Sequence, residues 1–208
     1  MTSYADLISD IQTWTQNQSV ELENERDTII RLALEDIVRD LPIQPFLKQN
    51  TGSFSVGSQT LARPNSDRLV GVRQLRYKTA AGAWVRLNYR QQSFCDAFWP
   101  DETETTSAPS YYYTDVAGAW RVVGTPSAAL TYYLEFTQRP LLNSTVTTNW
   151  LTDNAYALLL AATLRKAAMF IQDDRKEGLL AIHSADYTQE MERVQKSELG
   201  FEMDIRKI

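Results

Sequence analysis

The spacing of apolar residues changes twice along this 208-residue chain, and that order limits the fold more than any single residue does. Apolar side chains recur every three to four residues at first, every second residue through the middle, and every three to four again near the end. The first spacing lays one stripe along a helix, and the second lays one face along a strand. Two helical ends around such a middle predict an α+β protein, an α-helical bundle formed by N- and C-terminal helices with a central antiparallel β-rich insertion. On this reading residues 1–50 and 150–198 form a discontinuous helical bundle domain. Residues 51–149 form the insertion domain, and residues 199–208 a C-terminal docking tail.

Ser3 and Asp6 make a capping pair ahead of Tyr4, Leu7, Ile8, Ile11 and Trp14, which fall on one helical stripe. A second helix is predicted from about Val20 to Leu41, with Ile30, Ala33, Leu34, Ile37, Val38 and Leu41 as its stripe. Arg31, Glu35 and Arg39 lie on its other face at i, i+4 spacing, where each pair adds about 0.3 kcal/mol. Pro42 and Pro45 stop it, because proline cannot continue the hydrogen-bond ladder. A third helix is predicted from Trp150 to about Ile171 and is apolar nearly all round, which puts it at the centre of the core. Asp153, Asn154, Arg165 and Lys166 interrupt that run, so it is no membrane span. A fourth helix starts near Asp173 or Asp174, presents Leu180, Ser184, Tyr187, Met191 and Val194, and stops at Gly200.

From Thr51 the period is two. Leu69 to Tyr77 and Trp84 to Tyr89 flank Ala80-Ala81-Gly82 and predict a hairpin. A short helix is predicted from Gln91 to Trp99, with Phe94, Ala97 and Phe98 on one side and Pro100 at its end. Asp101 to Ser110 reads as a polar, exposed loop. Tyr111-Tyr112-Tyr113, Trp120 to Val123 and Leu130 to Phe136 are joined by short turns and predict a meander. The tail is the oddity. Leu199, Phe201, Met203 and Ile205 alternate with small or polar residues, a strand period at a terminus that needs something to receive it.

The inventory of reactive residues is sparse. No H-E-x-x-H, C-x-x-C, Walker loop or dinucleotide fingerprint occurs, and no catalytic residue, cofactor or metal is predicted. His183 is the one histidine, sits mid-helix beside the apolar stripe, and reads as structural. Cys95 is the one cysteine, lies between Phe94 and Phe98, and reads as a small buried hydrophobe. Glu102 and Glu104, near Trp99 and Tyr111, are the carboxylates a cell-wall hydrolase would use, but nothing around them supplies the burial that raises a carboxyl pKa. The net charge of −5 opposes a basic face gripping DNA, while it suits a channel through which a polyanion slides. The opening MTSYADLISD lacks the character of a signal peptide, so a chain made in the cytosol with no membrane partner is expected. Tyrosine-rich segments such as Tyr111 to Tyr113 suit sheet packing and also protein–protein contact.

Several segments taken together resemble a known family. They are Tyr4-Ala5-Asp6-Leu7 with Ile11 and Trp14, Ile29 to Leu41 with Ala33 and Glu35, and Tyr132 to Phe136 leading to Pro140-Leu141. Asn149-Trp150-Leu151 and the Ala/Leu-rich helix to Phe170 complete them. The pattern resembles the head-to-tail adaptor proteins of short-tailed bacteriophages, also called tail tubular protein A or head completion proteins. The likeness spans most of the chain and is weakest from Gln91 to Ser110. It implies a structural virion protein at the head–tail junction and not an enzyme: a twelve-membered ring of identical subunits beneath the portal protein. Such a ring extends the DNA channel toward the tail nozzle protein and offers a platform for tail components, in some phages the tail fibres. Double-stranded DNA passes through it during genome ejection without specific binding, and assembly takes place in the host bacterial cytoplasm. Under this resemblance Leu199, Phe201, Met203 and Ile205 are the portal-docking residues, by strand addition or by seating alternate side chains in a groove. Trp99, Tyr111, Tyr112 and Tyr113 are the interface to tail components. The alternatives are a head-tail connector of a long-tailed phage and a small tail-associated cell-wall hydrolase.

Overall fold

Ser3 opens the first helix by a reciprocal bond. The Asp6 carboxylate accepts from the Ser3 amide (2.7 Å) and hydroxyl (2.8 Å), and the Asp6 amide donates back to the Ser3 hydroxyl (3.3 Å). The structure, a computed structural model, describes residues 2–15, 20–41, 43–64, 67–99, 108–169 and 176–205, with the backbone alone at residues 20, 21, 98 and 199–205. The sequence expectations at Pro42, Pro100, Glu102, Glu104, Phe170, Ile171, Asp173 and Asp174 fall outside the described residues. The protein is α+β and divides into two compact units, one of Met1–Phe46 with Arg139–Ile208 and the other of Leu47–Gln138.

The first unit is helical. Helix α1 spans Tyr4–Thr15 and α2 spans Val20–Asp40. The predicted stripe of α2 is the buried one: Ile30, Ala33, Leu34, Ile37, Val38 and Leu41 are each at most 1% exposed. Opposite it lie Leu158, Leu159, Ala161, Ala162, Ala167 and Ala168 of the third helical run, all buried. Small residues at Ala161, Ala162 and Ala167 let that helix approach its neighbours closely, which is why it is central despite its modest side-chain volume.

That third run is not one helix. It breaks at Ala155 (φ −143°, ψ 45°) into α4 (Trp150–Asn154) and α5 (Tyr156–Ala168). Asn154 bonds its side-chain amide to the Trp150 carbonyl (2.9 Å), a local contact of the kind that competes with helix propagation. A capping box starts α4. Asn149 Oδ1 accepts from the amides of Leu151 (2.9 Å) and Thr152 (3.2 Å), and the Thr152 hydroxyl accepts from the Asn149 amide (2.8 Å). Asn149 Nδ2 also donates to the Leu141 carbonyl (3.2 Å), tying the incoming chain to the helix start. Asn149→Ala removes the three bonds made by the Asn149 side chain, and we expect about 1–2 kcal/mol of lost stability, seen as a lower urea midpoint at unchanged slope.

Helix α6 runs over Lys176–Ile205 and buries Tyr187 and Val194 of its predicted stripe, with His183 buried beside them. It corrects the reading of the tail. Gly200 does not end the helix, and Leu199, Phe201, Met203 and Ile205 lie on helical backbone, not on an extended strand. Adding a residue to an existing helix needs no new nucleus, so propagation from upstream outweighs a short period-two pattern and the ~1 kcal/mol cost of one glycine.

The second unit is a seven-stranded sheet in the order β1-β7-β3-β4-β5-β6-β2. The strands are β1 Leu47–Phe54, β2 Thr60–Leu61, β3 Leu69–Lys78, β4 Trp84–Tyr89, β5 Tyr111–Thr114, β6 Trp120–Val123 and β7 Leu130–Gln138. The predicted hairpin is β3–β4, closed by a turn in which Gly82 takes φ +86° and donates to the Thr79 carbonyl (2.9 Å). The predicted short helix is α3, Gln92–Phe98.

The meander is corrected. β5 and β6 pair as a hairpin, but β7 does not follow beside β6. It lies between β1 and β3, antiparallel to both. A nine-residue strand beside a four-residue one would leave much of its backbone unpaired, whereas the eight residues of β1 and ten of β3 cover it on both sides. β4 and β5 pair in parallel, so the insertion is not wholly antiparallel. The two outermost strands, β1 and β2, are consecutive in the chain, and the segment between them is stitched inward. The Gly57 amide donates to the Pro126 carbonyl (3.0 Å) and the Val122 amide to the Gln59 carbonyl (2.8 Å). The sheet is therefore nearly closed on itself. Its inside holds Phe54, Leu75, Tyr77, Leu87, Trp120, Tyr132, Leu134 and Phe136.

Candidate functional site

The strongest polar feature of the helical unit is built on one carboxylate. Asp36 follows the apolar stripe of α2 and is only 7% exposed. Its Oδ1 meets Arg39 at 2.6 Å, and its Oδ2 meets both Arg165 and Lys166 of α5 at 2.5 Å. Burial alone would raise the Asp36 pKa, but the Lys166 hydrogen bond and the charges of Lys166, Arg165 and Arg39 outweigh it and hold the carboxyl below its ordinary value. The Arg165 guanidinium lies over the ring of Tyr187 of α6, 4.0 Å from its centroid, and the Tyr187 hydroxyl donates to Asp40 (3.0 Å). Burial first, then that bond, pushes the Tyr187 pKa well above its ordinary value. Glu35 is shared between Arg31 (3.2 Å) and Arg139 (3.4 Å). These groups neutralise one another and tie α2, α5 and α6 together.

The same unit holds a cavity of about 300 Å³, lined by Trp14, Leu160, Leu164, His183, Asp186 and Glu190 among others. His183 is 5% exposed, and its Nδ1 lies 3.7 Å from Asp186 Oδ2 without a hydrogen bond among the described residues. The imidazole is buried on α6 and lines this cavity. Among the described residues no three His, Cys, Asp or Glu side chains cluster to hold a metal ion.

In the sheet unit three of the four aromatics singled out from the sequence come together. Trp99 and Tyr111 are half-buried against Cys95, Tyr113 and Val123 at α3. Tyr113 is 5% exposed, and Tyr112 turns the other way into the sheet core at 6%. Alternation along β5 splits the tyrosine run between two packing faces, so Tyr112 and Tyr113 serve the interior and the edges of Tyr111 and Trp99 reach the surface. Burial, then the Asp96 charge, raises the Cys95 thiol pKa, which leaves a protonated, inert side chain. Leu199, Phe201, Met203 and Ile205 lie on the last turns of α6, in the other unit.

One surface cluster was not singled out from the sequence as a site. On the outer side of the sheet, the Arg76 guanidinium lies over both Trp84 and Tyr133, 4.7 Å from each ring centroid, and the two rings meet edge-on with centroids 6.3 Å apart. The alternation of β3, β4 and β7 carries the signal: each of the three residues falls on the outward beat of a strand whose inward beat is apolar.

Ion pairs that knit helices together, a cavity between helices and aromatics half-open at the surface are features of a structural protein, with no cluster of metal-holding side chains among the described residues. The chain belongs to the SU10 adaptor protein family, whose sequence model matches residues 2–203. It is accordingly a bacteriophage adaptor, a structural component of the virion, in agreement with the resemblance carried by its sequence. No curated protein matches it. No helix among the described residues is long and apolar enough to cross a membrane.

Proposed function

We propose that this chain is a head-to-tail adaptor whose copies form a twelve-membered ring between the portal protein and the tail nozzle protein, extending the DNA channel. The observation that carries this reading is the match to a phage adaptor family across residues 2–203. The charge supports it: at −5 the chain suits a wall past which DNA slides during ejection without being held. In this reading the ring is assembled in the host cytoplasm. The end of α6, with Leu199, Phe201, Met203 and Ile205, docks on the portal, and the edges of Trp99 and Tyr111 face tail components, fibres included where a phage has them. Because the tail backbone is helical, docking proceeds by seating a helix end in a groove and not by adding a strand.

The test uses the purified chain and the portal of the same phage. Sedimentation of the mixture should show a ring-sized complex with the portal. Deleting residues 199–208 should leave a folded subunit that no longer joins it. Unchanged portal binding by the truncated chain would remove the tail from the account, and a chain that never joins the portal would remove the ring.

A further inference from the structure

We propose that the outer face of the β1-β7-β3-β4 sheet is a docking surface for a carboxylate-bearing segment of a partner protein, centred on Arg76. This inference stands apart from the ring, because it concerns the chemistry of one face whatever the number of copies.

The register assembles the surface. Tyr133 of β7 stands directly opposite Arg76 of β3, Arg76 stands opposite Arg86 of β4, and Lys78 stands opposite Trp84. Three cations therefore occupy neighbouring outward positions around two aromatic rings. A like-charged pair directly across two strands is destabilising, so the Arg76–Arg86 pairing works against the stability of the isolated sheet. None of Arg76, Arg86 and Lys78 has an ion-pair partner among the described residues. The one acid in these four strands is Glu135, and it is engaged by Arg73 at 3.4 Å. This accumulation of positive charge occurs on a chain whose net charge is −5, so general attraction does not explain it.

The side chain at the centre is already oriented. The rings of Trp84 and Tyr133, set at 69° to one another, hold the guanidinium in the corner they form, and Arg76 Nε is buried without a hydrogen-bond acceptor among the described residues. A guanidinium restrained by two rings presents its remaining N–H groups in the fork that matches a carboxylate, with less rotamer entropy left to lose on binding. Trp84 is 47% exposed, leaving a large apolar surface uncovered next to that fork. Tryptophan, tyrosine and arginine are the residue types that dominate protein–protein hot spots, and here they touch. A nucleic-acid backbone fits less well. It calls for cations repeated along a groove, whereas these are gathered at one point between strands β3 and β4.

The full-length chain is titrated at low ionic strength with poly-L-glutamate and, separately, with a short double-stranded DNA of equal charge, and binding is read by thermophoresis. Poly-L-glutamate should bind. Arg76→Glu with Arg86→Glu should weaken it by at least roughly tenfold. Trp84→Ala, which alters no charge, should weaken it several-fold, since the ring that orients Arg76 is lost. Arg193→Glu with Lys196→Glu, the same charge change on α6, should leave it unaltered. Melting curves establish that each variant is folded, and Arg76→Gln with Arg86→Gln replaces the reversal if that pair fails to fold. Equal weakening by the α6 control, tighter binding to DNA than to poly-L-glutamate, or no binding of poly-L-glutamate would each overturn the proposal.

Discussion

Asp36→Ala should be among the most damaging single substitutions in the helical unit, costing about 3–5 kcal/mol and lowering its melting temperature by roughly 10 °C. The side chain is 7% exposed and faces Arg39, Arg165 and Lys166 within 2.6 Å. Removing it leaves Arg165 and Lys166 crowded together without the carboxylate they share, while Arg39 keeps only its longer contact to Asp40 (3.5 Å). Arg165 and Lys166 are themselves mostly buried, at 19% and 17% side-chain exposure, so water does little to screen them. Asp36→Asn keeps the shape but loses the charge, and should fall between wild type and Ala. The two substitutions together separate packing from charge, with urea midpoints as the measurement.

The same carboxylate sets a pH dependence whose sign follows from its environment. Its folded pKa lies below the ordinary value of 3.8, so the ionised form is the one that folding favours. Its contribution is fully present above that ordinary value and is lost as pH falls through the lower, folded one. The wild-type melting temperature should therefore drop on acidification below about pH 4, and Asp36→Ala should show a flatter acid limb, having no such carboxylate to protonate. An acid limb equally steep in both proteins would show that other carboxylates govern the transition.

Much of the helical unit could be read in advance because burial there follows a long, regular stripe. From Ile30 to Leu41 the apolar residues recur often enough that no alternative backbone buries them all. The tail failed for the opposite reason, since four alternating residues are too few to outweigh the long upstream run of α6 that carries helix through Gly200. Strand partners were the least legible part. β1 is mostly polar, with Lys48, Gln49 and Thr51 exposed, and its pairing with β7 depends on contacts some eighty residues apart that no local pattern encodes. Gly52 is the clue it offered. The Tyr132 ring lies across it so closely that a Cβ would stand 2.4 Å from the tyrosine oxygen, and a glycine facing an aromatic on the neighbouring strand is a sign of close approach. As for the sites, Asp36 in a buried stripe and Arg165-Lys166 in an apolar helix, though not read together from the sequence, are legible in principle, because each calls for a partner of opposite charge. The Arg76 cluster was less so, because it needs three strands in register before its members meet.

Phe54→Ala should be the corresponding injury to the sheet unit, costing about 3–5 kcal/mol. Phe54 is 1% exposed and is the last residue of β1. Its ring centroid lies 5.0 Å from that of Tyr132 and 6.4 Å from that of Tyr77, so it joins β1 to both β7 and β3 across the inside of the sheet. The loss exceeds that of an ordinary core truncation in its consequences, because β1 has a neighbour on one side only and Phe54 is the point from which the chain turns toward β2 to close the sheet. Hydrogen exchange should therefore quicken first at the amides of β1 and the segment 55–59, with β3 and β7 opening only at the global transition. Faster exchange confined to β5 and β6, with β1 unaffected, would mean that the closure is held from the other edge. A melting temperature within about 2 °C of wild type would mean that the Tyr132 and Tyr77 rings collapse into the space and that the aromatic contact is not what closes the sheet.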